Sequence, residues 1–315
     1  MTSVYEMETH RVEVLRSMRP GWIELLAACL VTFLVVISSS DAGATMNAEG
    51  KSERYTRGMT ALQALDAEGA AKVMKGLQDI APDMARFIIE FGYGDVYSRP
   101  ALDPKSRQAA TIAALTALGN AGPQLKFHLR AALNVGLSPQ EIIEVMYVTT
   151  VFAGFPSGIN GINAAREVFQ EKGVTVDPHS RSPFSEKASR RERGLSAVNR
   201  TSKGAGERVL KSLEDIAPDL GDFIIDFSYG DVIARNLLAP KLKEIAMIAV
   251  TVAKGTMQPQ MKVHVHAALN VGCTREEMVE LMYHMAVYAG FPAALNGING
   301  LREVLHQRDA QGVKP

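Results

Sequence analysis

The chain repeats itself. Residues 57–172 align with residues 193–308 at a constant shift of 136, without a gap, and 54 of the 116 aligned pairs are identical. Asp79-Ile80-Ala81-Pro82-Asp83 recurs as Asp215-Ile216-Ala217-Pro218-Asp219, and Ala153-Gly154-Phe155-Pro156 as Ala289-Gly290-Phe291-Pro292. That density requires one fold present twice. The period is too long for a solenoid, and each copy is large enough to bury a core of its own. The expected organisation is a first domain over 45–172, a linker over 173–192 and a second domain over 193–315. The linker segment is polar and carries Pro178 and Pro183. Its basic cluster, Arg190, Arg191 and Arg193, reads as a solvated helix start.

Each copy reads as helices only. Pro82 and Pro218 suit first helical positions. Pro104 and Pro240 open long apolar helices that stop at Gly119 and Gly255. Ser138 with Glu141, and Thr274 with Glu277, form capping boxes. No segment alternates with a period of two, so the fold class is all-α. Tyr147 and Tyr283 lie on apolar faces and read as core.

Residues 1–44 read as a signal peptide. Arg11, Arg16 and Arg19 precede the uncharged apolar run 25–37, which is short of the ~20 residues that span a bilayer. Ala42-Gly43-Ala44 then offers a small-x-small cleavage site. The expectation is an exported protein, periplasmic or secreted, with no membrane attachment after cleavage. Cleavage removes Cys29 and leaves Cys273 as a single thiol, so no internal disulfide can form. Lys+Arg and Asp+Glu balance at 34 each, which argues against a nucleic-acid partner.

Few residues remain for chemistry once the packing residues are set aside. His128 and His264 hold the same place in both copies. Gln124 and Gln260 lie one turn earlier on the same helical face and are the candidate substrate-binding pair. A single histidine among apolar residues is often a hydrogen-bonded core or interface group, so both readings stay open here. His264 and His266 are two apart and diverge on a helix, and His284 has Val148 opposite it in copy one, so no metal site is expected.

The pattern from His264 to Gly272, then Thr274 to Glu277 and Tyr288 to Ala294, resembles the carboxymuconolactone decarboxylase family of the wider alkylhydroperoxidase D-like superfamily. Copy one matches as His128 to Gly136 and Phe152 to Pro156. The resemblance covers both copies and implies two tandem alkylhydroperoxidase D-like helical domains, a small-molecule substrate, and a homo-oligomer, with a trimer of these fused chains expected. The peroxidase branch uses a Cys-x-x-Cys pair before the histidine. Those places hold Ala121 and Gln124 in copy one, and Met257 and Gln260 in copy two, so the thiolate and its resolving partner are missing.

The decarboxylase branch implies a cofactor-free carboxy-lyase, with His264 as proton donor or oxyanion stabiliser, Glu244 as its acid/base partner, and His128 as the copy-one counterpart. A non-catalytic ligand-binding or assembly protein on the same scaffold is the alternative. Copy one has Gln108 where copy two has Glu244, and Gln cannot exchange a proton near neutral pH, so the chemistry is expected in copy two. On a simple hairpin Glu244 and His264 stand roughly 10 Å out of step. They meet only if the helices cross obliquely or a neighbouring domain supplies one of them.

Overall fold

The structure is a computed structural model that describes residues 51–177 and 188–313; residues 1–44, read above as a signal peptide, lie outside the described residues. Copy one contains α1 (Glu53–Lys75), α2 (Pro82–Phe87), a first π-helix (Ile88–Tyr97), α3 (Pro104–Leu118), α4 (Gly122–Asn134), α5 (Pro139–Ala153) and α6 (Phe155–Lys172). Copy two contains α7 (Arg190–Thr201), α8 (Ala205–Leu213), α9 (Pro218–Phe223), a second π-helix (Ile224–Ile233), α10 (Pro240–Lys254), α11 (Gln258–Asn270), α12 (Arg275–Ala289) and α13 (Phe291–Ala310). The fold is all-α, with no strand among the described residues.

The stop and start signals act as the sequence predicts. Gly119 and Gly255 take left-handed φ of 73° and 72°, which ends α3 and α10 without a Cβ penalty. Both expected capping boxes close, and a third forms at Ser189 and Glu192 to start α7 inside the segment expected as linker. The arginines at that start are ion-paired and not merely solvated. Arg191 reaches Asp222 at 2.6 Å and Asp226 at 2.5 Å, and Arg190 and Arg193 both pair with Asp231.

The π-helices are not foreseen by sequence periodicity. Each is ten residues long and lies against the first helix of its copy. That contact is backbone on backbone: a Cβ on Gly58 would stand 2.0 Å from the Ile89 carbonyl oxygen, and one on Gly194 equally close to that of Ile225.

Arg54–Pro315 form one compact unit. The centre is α3 packed on α10, two helices buried along nearly their whole length, polar side chains included. Around that axis the copies interleave. α5 of copy one packs on α10 and the second π-helix, and α12 of copy two packs on α3 and the first π-helix. Residues of both copies therefore surround each histidine. Tyr147 is half-buried against a core cluster, as expected, but Tyr283 is not core: it is 42% exposed; each ring lies under a guanidinium of the other copy, Arg235 at 5.1 Å and Arg99 at 4.9 Å.

Candidate active site

In copy two, Glu244 on α10 and His264 on α11 come together within one chain and one copy. His264 Nδ1 lies 2.8 Å from Glu244 Oε2, and both residues are buried. Glu244 stands ten residues before the end of α10 and His264 six after the start of α11, an offset of about 6 Å in helical rise. Two long side chains span it. Glu244 is thus no solvent-facing carboxylate at a helix start. His264 Nε2 makes no hydrogen bond to any described residue, yet it is not sealed off as a buried orphan, so it keeps a narrow opening.

The walls around this pair are apolar and partly from copy one. The Phe152 ring meets the His264 ring edge-on at 5.2 Å. Phe152 packs with Val148, Ile233 and Met247 in one cluster that joins α5 to the second π-helix and α10. Burial and the nearby Glu244 charge push the Tyr229 phenol, on the same cluster, up to about 12.

Copy one builds something else at the equivalent place. His128 Nδ1 lies 3.0 Å from Gln108 Oε1, and its Nε2 takes a hydrogen bond from the Tyr288 hydroxyl at 3.1 Å. Tyr288 in turn meets Tyr97 at 2.5 Å, and Tyr97 meets Thr111 at 3.3 Å. Thr111 donates to the Arg107 carbonyl at 2.9 Å, so its oxygen accepts from His284 Nε2 at 2.8 Å, and His284 Nδ1 accepts from Arg107 at 3.4 Å. Arg107 and Glu280 close the chain as an ion pair at 2.9 Å in which both side chains are 2% exposed. The histidine tautomers are fixed by these contacts, and Tyr97, with one hydroxyl proton, donates it to Tyr288, so its approach to Thr111 is a contact without a proton between the oxygens. Burial drives His128 down to about 3 and His284 well below the ordinary histidine range, so both rings are neutral.

Five substitutions between the copies account for the contrast: Gln108 for Glu244, and four that exchange polar for apolar side chains. Tyr97, Thr111, His284 and Tyr288 line the copy-one site; their equivalents at the copy-two site are Ile233, Met247, Val148 and Phe152. Sequence reasoning missed this network, together with Arg107 and Glu280. The signal was present as four matched polar-for-apolar exchanges, but nothing in the sequence joins them until α5 and α12 cross to the other copy.

Gln124 and Gln260 are exposed and join neither set. The one-turn spacing is real, but the histidines point into the core while the glutamines face solvent.

A histidine on α4 or α11, backed by position 108 or 244 of the helix before it, thus recurs in both copies within the repeated all-α unit. The carboxymuconolactone decarboxylase family matches residues 82–167 and 218–303. The chain belongs to that family. The 4-carboxymuconolactone decarboxylase of Acinetobacter baylyi is 33% identical over 126 residues, which is 40% of this chain and 93% of its own. Peroxisomal protein 2 of Schizosaccharomyces pombe is 27% identical over 144 residues, 43% of this chain and 62% of its own. The nitrosuccinic acid decarboxylase of Metarhizium robertsii is 28% identical over 109 residues, 34% of this chain and 76% of its own. Two of these relatives are named as decarboxylases, which supports a carboxy-lyase family. Thiol peroxidase chemistry is not favoured: Cys273 is buried, and burial pushes its thiol up to about 12.

Proposed function

We propose that the copy-two site is the catalytic centre of a cofactor-free carboxy-lyase acting on a small carboxylated lactone or a related acid. The observation that carries this is the buried His264–Glu244 pair with His264 Nε2 left free. Loss of carbon dioxide breaks the bond to the carboxylate carbon and leaves its electron pair conjugated into the lactone carbonyl as a dienolate. Nε2–H stabilises the developing oxyanion or delivers the proton that carbon requires. Glu244 holds Nδ1–H, fixes the ring and balances the charge it carries when both nitrogens are protonated. The proton spent on product returns from solvent through the opening at Nε2. His128 is a structural member of its network in this reading, because Tyr288 occupies its outward nitrogen.

The test is a screen of carboxylated lactones and nitrosuccinic acid for carbon dioxide release by the purified chain. Saturable turnover lost on His264→Ala supports the reading; turnover that survives His264→Ala removes His264 from the chemistry, and none on any acid tried favours the non-catalytic scaffold. We further propose self-association and export. The first is supported by apolar residues left exposed at matching places in both copies: Ile80 and Ile216, Phe87 and Phe223, Phe155 and Phe291. The second rests on the sequence of residues 1–44.

A further inference from the structure

Beyond the histidine sites, the two copies share a second frame with opposite charge. In copy one, α1 kinks at Asp66 (φ −162°, ψ 96°), and Asn134 Nδ2 donates to the Leu65 carbonyl at 2.6 Å. In copy two the same place is the break between α7 and α8 at Ser202 (φ −150°, ψ 91°), and Asn270 Nδ2 donates to the Thr201 carbonyl at 2.6 Å. The backbone arrangement is retained.

Copy one sets its own carboxylates at this place, Asp66 buried and Glu68 and Glu171 exposed. Buried Asp66 accepts from Arg130 Nε at 3.1 Å and caps the Gly69 N–H at 3.1 Å. Arg130 also reaches Glu171 at 3.2 Å, and Lys72 pairs with Glu68 at 2.7 Å. In copy two all three acids are gone: Ser202, Gly204 and Gln307 stand in their places. The basic character persists as His266 for Arg130, Arg208 for Lys72 and Arg308 for Lys172, with Lys203 added where copy one has Ala67.

What remains is a pocket of about 640 Å³ lined by Lys203, Arg208, His266 and Arg308, with no aspartate or glutamate in its walls. Arg308 is 5% exposed and makes one hydrogen bond, 2.9 Å to Asn270 Oδ1, with no carboxylate partner among the described residues. A guanidinium cannot shed its charge, and a buried cation without a counter-ion is costly. The N-terminus of nine-residue α8 opens on the same pocket and lacks the side-chain cap that Asp66 supplies in copy one.

We propose that this copy-two pocket binds an external oxyanion, the carboxylate or phosphate of a small molecule, in the place where copy one holds its own Asp66. The chain itself shows the chemistry that suits the cleft, and this inference does not depend on the reaction at His264.

Calorimetric titration of the full chain with inorganic phosphate and, separately, with succinate tests it, at an ionic strength held constant with sodium chloride. Saturable binding of one anion per chain is expected. Ser202→Asp restores the internal carboxylate and is expected to weaken binding by about tenfold or more, the loss of one charge-assisted contact, and to raise the melting temperature in anion-free buffer. Arg308→Gln is expected to weaken binding likewise; should that variant unfold, Ser202→Asp decides. Binding of phosphate alone, succinate alone or both supports the site and names its head group. Absence of saturable binding for both, or binding unchanged in Ser202→Asp, overturns it.

Discussion

Tyr288 and Phe152 occupy equivalent positions, 136 residues apart, and each lies against the histidine of the other copy. The Tyr288 hydroxyl caps His128 Nε2 at 3.1 Å, whereas the Phe152 ring meets His264 at 5.2 Å and has nothing to cap it with. A single hydroxyl separates an engaged ring nitrogen from a free one.

Catalysis is expected to follow that difference. His264→Ala and Glu244→Gln should each lower kcat/KM by about 10²–10⁴-fold, the usual worth of positioned acid/base help. His128→Ala should leave kcat/KM of the folded protein within a few-fold. Equal losses at His128 and His264 would remove the asymmetry.

Tyr288→Phe should act on stability and not on turnover. It strips a hydroxyl that serves both His128 and Tyr97 and leaves a buried ring nitrogen unpaired, at a cost of about 1–3 kcal/mol. Urea denaturation measures the first effect and steady-state kinetics the second.

The Arg107–Glu280 pair ties the copies together in the deep interior. Glu280→Ala leaves that guanidinium without its counter-charge, although Arg107 keeps the Leu102 and Arg99 carbonyls at 3.1 and 2.8 Å. The expected loss is about 3–5 kcal/mol in equilibrium unfolding. A loss below ~1 kcal/mol would show that the pair is not what holds α12 to α3.

Stability should fall on mild acidification. His128 and His284 are held neutral by burial, His284 with the Arg107 charge beside it; folded His128 titrates near 3 against an ordinary 6.5. Below that ordinary value the unfolded chain binds protons that the folded chain does not, so unfolding gains with each step down. Their contribution is complete above about 6.5 and is lost as pH falls toward about 3. Urea midpoints at about pH 7 and about pH 5, a window above most carboxylate titration, should show the decline; equal midpoints would contradict it.

Cys273 should be inert. Its thiol is buried and held up to about 12, so thiol reagents should label it only after denaturation, and peroxide turnover should be absent. Peroxidase activity abolished by Cys273→Ser would reverse this reading.

The helical class, the duplicated unit, the glycine stops and the capping boxes follow from sequence because each is a local choice, made within a turn or two of the residue that signals it. The pairing of Glu244 with His264 was half legible. The residue types and their approximate spacing were visible, but whether the side chains met was a question of how α10 and α11 sit together. Gln124 and Gln260 stand apart from both histidine sites for a related reason, since a shared helical face does not say which part of it turns toward solvent. The π-helices gave no periodic sign, and the polar network at His128 joins residues up to 191 apart in sequence, as Tyr97 and Tyr288 are. What the sequence determined by itself was the fold of one unit and its repetition. Tertiary structure decided which site has a free imidazole, because interleaving α5 and α12 gives each histidine a wall from the other copy, and hydrogen bonds act only across the last few ångströms.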